Sequence, residues 1–288
     1  MKIQLETLNS LAAKIALGLF FGYKVLESYF FSKRKMKILF SDTGEHTWWK
    51  KELTRGFRFT RHEIAFEKLS PENVKHYDLI VPLTIPDLKY ASVELHNLLI
   101  NNPIPIPSAE SIELCDDKYR FNETLIANGF EEFIPRMTGE LDYPYILKKK
   151  IDQWGANSYI ISDEQQEQIL ADTLANPEYF RQALIMGRCL YATHILFKNG
   201  KIVCSMDVEY TFRVEAPIHG KDDHITYYKL SECPYLDIFS AILTSIGFEG
   251  LCCIDYKIVD NRPLIFEINP RFGGSLRKVF FSFLRHIE

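Results

Sequence analysis

The sequence predicts a mixed α/β fold, and three features indicate it. Two apolar runs flank a turn at residues 259–263, which is typical of a β-hairpin. Two short apolar segments, at residues 37–40 and 78–84, have the length of buried strands, and a loop follows each of them. Helical periodicity comes after the second strand, and it leads into a linker that contains Pro103, Pro105 and Pro107.

The composition is that of a globular protein with about two domains. The chain has 288 residues, of which 47% are hydrophobic and 25% are charged, so it can bury a sizeable core. Its net charge of −4 gives no electrostatic basis for nucleic-acid binding. No CxxC pair occurs, and reduced thiols in a cytoplasmic protein account for the cysteines, which are Cys115, Cys189, Cys204, Cys233, Cys252 and Cys253.

Residues 1–35 show apolar residues near helical spacing, interrupted by charges. The longest uncharged run, residues 15–23, is far shorter than the ~20 residues of a spanning helix, and no signal-peptide cleavage site follows it. Two interpretations stay open. One is an amphipathic helix that lies on the protein or pairs with a second subunit in a homodimer. The other is an interfacial membrane helix, helped by the basic residues 33–35, which would associate the protein peripherally with a membrane.

Residues 36–107 are predicted to form a small parallel α/β domain. Its loop at residues 41–44 lies where such a fold places a ligand, but the sequence has no G-x-G-x-x-G motif for a dinucleotide. Beyond the linker, Ser108 is a suitable cap for one helix over residues 108–130. The turn 198–201 predicts a hairpin, and residues 211–227 are expected to be a loop in which His219 and His224 are solvated. In all, strands outside the C-terminal hairpin are predicted at 37–40, 78–84, 143–148, 158–161 and 202–210. Other helices are predicted at 88–99, 163–174, 234–246 and 277–286.

The C-terminal hairpin carries the chemistry. Alternation predicts two core faces, formed by Ile254, Tyr256 and Ile258 on one strand and by Leu264, Phe266 and Ile268 on the other. The opposite faces carry Asp255, Glu267 and Asn269. Carboxylate and amide oxygens held close together suit Mg²⁺, which is usually shared with nucleotide phosphates, and Mn²⁺ is an alternative ion. Arg271 then supplies a fixed cation, and the Gly-Gly pair at 273–274 allows close approach to an anion.

This hairpin resembles the metal-binding end of the ATP-grasp superfamily of carboxylate–amine and carboxylate–thiol ligases, including the large chain of carbamoyl-phosphate synthase. That family has an acid on one strand, Glu-x-Asn on the next, and often Pro-Arg after it. The matching residues are Asp255, Glu267, Asn269 and Arg271. The resemblance implies two α+β lobes around a nucleotide cleft, at residues 108–185 and 186–288, preceded by an α/β domain at residues 36–107.

The resemblance also implies roles for residues outside the hairpin. Lys118 and Lys148 would hold the phosphates of ATP, and the loop with Gly155 and Ser158 would close over them. The hinge would read adenine through the segment that contains Gln182, Leu184 and Ile185. Ala183 and Cys189 stand where the family has acids, one of which holds the ribose. Arg271 would stabilise the charge of the transferred phosphoryl group, and Arg213 would neutralise that phosphate or bind a substrate carboxylate.

The implied function is ATP-dependent ligation. A small-molecule carboxylate would be activated as an acylphosphate and captured by an amine, with ATP and Mg²⁺ as cofactors. Three alternatives stay open at this point: a phosphotransferase of the same fold, a non-catalytic nucleotide-binding subunit with an altered hinge, and a membrane-associated assembly subunit in which residues 1–35 dominate.

Overall fold

A computed structural model describes residues 34–42, 44, 47–58, 60–137, 139–221 and 225–287. These residues form eleven strands in three sheets, one parallel and two antiparallel, and the mixed α/β prediction is confirmed. Within the same residues, no helix has the length and apolar character needed to cross a membrane. The interpretations offered for the N-terminal segment fall almost entirely on residues 1–33, which lie outside the described part of the chain.

The first sheet is parallel and has the order β2-β1-β3. Its elements are β1 (Lys37–Ser41), α1 (Thr47–Phe57), β2 (Glu63–Glu67), β3 (Leu79–Val81), α2 (Ile85–Val93) and α3 (His96–Leu99). The helix predicted over residues 88–99 begins earlier, because the Thr84 hydroxyl accepts a hydrogen bond from the Asp87 amide and caps the helix there. It is also divided into two helices.

The second sheet is antiparallel and has the order β5-β4-β6. Its strands are β4 (Tyr145–Lys149), β5 (Ser158–Ile161) and β6 (Tyr179–Ala183), and the helices of this region are α4 (Ala109–Asp116), α5 (Lys118–Ala127), α6 (Glu164–Ile169) and α7 (Ala171–Ala175).

The single helix expected over residues 108–130 is in fact two helices, and that expectation is corrected. The chain breaks at Asp117, which has an extended backbone. The Asp117 carboxylate accepts hydrogen bonds from the amides of Tyr119 and Arg120 and therefore caps α5. This break makes Lys118 the first residue of α5 and turns it toward the second sheet, where its amide donates to the Lys150 carbonyl at 2.9 Å.

The third sheet is antiparallel and has the order β11-β10-β7-β8-β9. Its elements are β7 (Cys189–Lys198), β8 (Lys201–Phe212), β9 (Ile225–Ser231), α8 (Leu236–Ser245), β10 (Gly250–Val259) and β11 (Arg262–Asn269), and α9 (Phe281–Leu284) follows the sheet. Both hairpins turn through two residues with positive φ: Asn199 and Gly200 in one, Asp260 and Asn261 in the other. The loop predicted over residues 211–227 ends earlier, because β9 pairs with β8 from Ile225 onward.

A β-bulge changes the faces of the last strand. Asp255 lies opposite Glu267, but the next residue, Tyr256, lies opposite Ile265, so Phe266 is an extra residue in β11. The prediction that Leu264, Phe266 and Ile268 share a core face is therefore wrong. Ile265 and Ile268 enter the core, whereas Phe266 turns toward the cleft beside Glu267.

Candidate active site

A cleft lies between the second and third sheets. It is lined by β4, the hinge after β6, the start of α5, the loop before β5, and the faces of β10 and β11 that bear the acids. The lining residues include nine that the sequence singled out: Lys118, Lys148, Gly155, Ser158, Gln182, Leu184, Ile185, Asp255 and Glu267. Elements far apart in the chain thus bring these side chains to one place.

The two acids face each other across neighbouring strands. Asp255 of β10 is paired directly with Glu267 of β11. The side-chain amide of Asn269 lies 3.2 Å from an oxygen of each carboxylate and donates to both. The amide nitrogen faces the acids here because an amide oxygen beside two carboxylates would be repelled.

The surroundings shift the pKa values of the two carboxyl groups in opposite directions. Burial, reinforced by the charge of Glu267, raises the pKa of Asp255 well above its usual range. Burial also acts to raise the pKa of Glu267, but the charge and hydrogen bond of Lys118, with the charge of Lys148, outweigh it and lower that pKa to about 2. Glu267 is therefore ionised at neutral pH, and its charge is balanced by lysine.

The two predicted phosphate lysines lie close to this pair. The ammonium of Lys118 is 3.0 Å from a carboxylate oxygen of Glu267 and donates to the Asp152 carbonyl at 2.6 Å. The ammonium of Lys148 donates to the side-chain oxygen of Gln182 at 2.8 Å and lies 5.0 Å from the ring centre of Phe266. Two cations therefore lie beside the acid pair, so this part of the cleft can hold an anion.

Gln182 positions Lys148. Its side chain is 1% exposed, accepts from the Lys148 ammonium and donates to the Pro135 carbonyl at 3.2 Å. Burial lowers the pKa of Lys148 to about 8, although the charge of Glu267 opposes that shift. The amine is still mostly protonated at neutral pH, and only a small rise in pH removes its charge.

Two loops meet over the cleft. A Cβ atom added to Gly155 would lie 2.6 Å from a methyl carbon of Ile218, and one added to Gly220 would lie 2.6 Å from the Trp154 carbonyl oxygen. Both glycines have positive φ. The ammonium of Lys221 also donates to the Ser158 carbonyl at 2.9 Å. The loop after β8 therefore spans the cleft and fastens to the loop before β5.

Three other residues that the sequence predicts for the site do not line the cleft. Asn269 touches both acids without lining the cleft itself. Arg271 lies beside a small cavity at the junction with the first sheet, together with Pro82 and Phe272, and the charges of Glu267 and Asp255 act on its guanidinium. Arg213 is exposed and is not brought to the cleft, because the loop after β8 turns inward only from Pro217.

Sequence reasoning missed two residues of the cleft. His219, expected to be solvated, instead packs 5.0 Å from the ring centre of Tyr210 and lines the cleft, where burial lowers its pKa. Its expected companion His224 lies outside the described residues. Lys257 is 4% exposed, lines the cleft, and donates to the Ile185 carbonyl at 2.7 Å. Strand alternation would have identified Lys257, because it lies two residues beyond Asp255 on the same strand.

The donor set fits a hard divalent cation. Across the described ranges, no three His, Cys, Asp or Glu side chains are grouped for a metal, so the third protein ligand would be the Asn269 amide. Two carboxylates and an amide oxygen, with room for phosphate oxygens, are the ligands that Mg²⁺ accepts. In this structure, Lys118 supplies the positive charge that such an ion would supply when bound.

Comparison with known proteins gives structural matches only. No family model and no curated protein sequence matches the chain. D-alanine–D-alanine ligase from Bacillus anthracis, solved with ATP, is 14% identical with a TM-score of 0.58, over 88% of this chain and 96% of that one. L-amino acid ligase from Bacillus licheniformis is 13% identical with a TM-score of 0.58, over 88% and 71%.

A third match is N5-carboxyaminoimidazole synthetase from Staphylococcus aureus, solved with ADP. It is 15% identical with a TM-score of 0.57, over 87% of this chain and 77% of that one. These proteins share one architecture, and the match covers most of the chain. The protein therefore has the ATP-grasp fold.

Proposed function

We propose that this protein is an ATP- and Mg²⁺-dependent ligase that joins a small-molecule carboxylate to an amine. One observation carries the proposal. Asp255 and Glu267 face each other on neighbouring strands in a cleft that two partly buried lysines, Lys118 and Lys148, also line. Acids beside cations in a closed cleft are the arrangement that a metal-bound triphosphate requires.

Each group has a role in the proposed chemistry. Asp255, Glu267 and Asn269 would hold Mg²⁺, which when bound supplies neutralisation of the phosphate charge. Lys118 and Lys148 hold the phosphates, and the loop with Gly155 and Ser158 covers them. The hinge residues Leu184 and Ile185 line the part of the cleft where the base would lie, and Gln182 holds Lys148 beside the phosphates.

The reaction proceeds in two steps. An oxygen of the substrate carboxylate attacks the γ-phosphorus in line, and ADP leaves, so an acylphosphate forms. The amine then attacks the acyl carbon and displaces phosphate. Arg271, placed between the acids and the first sheet, suits the incoming carboxylate and the phosphoryl charge. Catalysis comes from positioning and charge, and no nucleophile of the protein is needed.

One observation favours a second candidate, a non-catalytic nucleotide-binding subunit. Ala183 lines the cleft and Cys189 follows it in the hinge, at positions where an acid would hold the ribose. The Cys189 thiol lies 3.7 Å from the Thr211 hydroxyl and makes a local contact instead. Loss of the ribose contact would weaken nucleotide binding without touching the acids.

Product analysis tests the proposal. The purified protein is incubated with ATP and Mg²⁺, with pools of carboxylates and of amines, and ADP release is measured. A ligase releases ADP only when both pools are present, and the product has the mass of the two substrates less water. ADP release with one pool alone, accompanied by a stable phosphorylated product, would identify a phosphotransferase. Binding of ATP without release of ADP from any combination would identify the non-catalytic subunit.

A further inference from the structure

Lys257 lies in the cleft, yet the chemistry proposed above does not use it. It is two residues beyond Asp255 on β10, so the two side chains share a face of the strand. Its side chain is almost fully buried, and its ammonium donates to the Ile185 carbonyl at 2.7 Å. A buried ammonium is costly unless it is satisfied. It has three donors, and the bond to Ile185 uses one.

The surroundings of Lys257 form an apolar slot. Ile146 and Leu190 are buried, and Leu184 and Phe266 line the same cleft. An apolar slot with a few polar groups at one end is suited to a flat heterocycle. The position of Lys257 beside the hinge therefore puts it at the base end of the cleft.

We propose that Lys257 is a base-reading residue that makes the cleft accept both adenine and 6-oxopurine nucleoside triphosphates. This inference rests on the proposed function, because it takes the cleft to be the nucleotide site. The Lys257 ammonium and the Ile185 carbonyl together present a donor and an acceptor side by side.

The edges of the two base types explain the dual acceptance. Adenine presents an amino donor beside a ring-nitrogen acceptor, whereas guanine and hypoxanthine present a carbonyl acceptor beside a ring N–H donor. A backbone N–H at a fixed position can donate to the ring nitrogen of adenine. It would face the ring N–H of a 6-oxopurine, so it matches only the adenine pattern. Lysine carries several donors on a flexible stem, so it can reach either acceptor. The second lone pair of the Ile185 carbonyl then accepts from either base.

Calorimetric titration tests this proposal with three ligands: Mg·ATP, Mg·GTP and inorganic tripolyphosphate. In the unaltered protein, the Kd values for ATP and GTP should agree within about tenfold. Lys257→Met keeps the length of the side chain and should weaken both nucleotides by about tenfold or more, the worth of one charged hydrogen bond. Binding of tripolyphosphate, which has no base, should weaken much less than binding of the nucleotides, since the Lys257 ammonium is held at the Ile185 carbonyl of the hinge.

Lys201→Met serves as the matched control, because Lys201 is an exposed lysine of the same sheet. It should leave all three Kd values unchanged. A preference for either base above about tenfold in the unaltered protein would overturn the inference, and that measurement needs no variant. Equal weakening of tripolyphosphate and nucleotides in Lys257→Met would also overturn it. Strict adenine selectivity with ligase turnover intact would leave the proposed function standing, whereas failure of all three ligands to bind would contradict both proposals.

Discussion

At the scale of single residues, the properties of the site depend on the charges that its acids and lysines carry inside the cleft. Asp255 and Glu267 are neighbours, and their surroundings separate their pKa values, so that one acid is ionised beside Lys118. Lys118 and Lys148 place two positive charges beside the acid pair. This arrangement favours an anionic ligand, and the lowered pKa of Lys148 makes the charge of that lysine sensitive to pH.

The pH dependence of nucleotide binding should report on Lys148. Burial lowers its pKa to about 8, and a bound triphosphate would favour the charged amine. Below pH 8 the charge is present and the Kd should be steady; above pH 8 the free protein loses the proton that binding needs. The Kd for Mg·ATP should then rise by up to about tenfold per pH unit.

Lys148→Arg is the matched variant for this prediction, because arginine stays charged throughout the range. Its titration curve between pH 7 and pH 9.5 should be flatter than that of the unaltered protein, and the difference between the two curves isolates Lys148. Identical slopes in the two proteins would show that Lys148 does not contribute its charge to binding.

Strand alternation predicted correctly which strand faces carry the carboxylate pair. Where strand pairing is regular, successive side chains alternate strictly between the two faces of the sheet. The same rule failed at Phe266, which is an extra residue in β11. Nothing in the sequence marks that bulge. His219 was misjudged for another reason: a loop histidine gives no sign that the loop folds back over the cleft and buries it.

At the scale of elements, the cleft is closed by two loops whose contact depends on two glycines. Gly155 and Gly220 each have positive φ, and each lies where a Cβ atom would overlap the opposite loop. The loops therefore fit together only if both positions lack a side chain.

Gly220→Ala should separate the loops. The added methyl group would lie 2.6 Å from the Trp154 carbonyl oxygen, so one loop must move. We expect weaker Mg·ATP binding and faster proteolysis between residues 150 and 158, because the contact that holds this loop is lost. Nucleotide affinity and limited proteolysis measure the two effects.

Gly139→Ala is the control, since Gly139 also has positive φ but has no atom within 4 Å of an added Cβ. It carries the same backbone strain of about 1–2 kcal/mol without the overlap. Equal effects of the two substitutions on nucleotide affinity would mean that strain, and not the contact between loops, accounts for the result.

Local chemistry predicted several elements well. The Asn199–Gly200 turn and the terminal hairpin follow from residues that accept positive φ. The break between α4 and α5 was missed, since one continuous helix is expected over residues 108–130, whereas the Asp117 carboxylate caps a new helix within that range. Strand β9 was missed because its pairing with β8 is a tertiary contact that the loop-like sequence before it conceals.

At the scale of the whole molecule, the C-terminal chain ties the third sheet to the first. Phe272 and Phe280 pack with their ring centres 5.1 Å apart, and both contact Phe40 of β1. One apolar core thus spans the first sheet and the segment that carries Arg271. The general architecture was predictable from the hairpin motif, whereas this shared core was not, because it joins segments more than 200 residues apart.

We propose that the acids of β10 and β11 hold the metal for phosphoryl transfer between the lobes. The rate of Mg²⁺-dependent ADP release by Glu267→Gln, measured with the substrate pools, tests this role beside the control Glu232→Gln, an exposed acid of the same region. We expect a loss of at least about 100-fold in the first variant, with its thermal unfolding still cooperative, and an unchanged rate in the second. A folded Glu267→Gln protein that turns over at the rate of the unaltered one would overturn the proposed metal site.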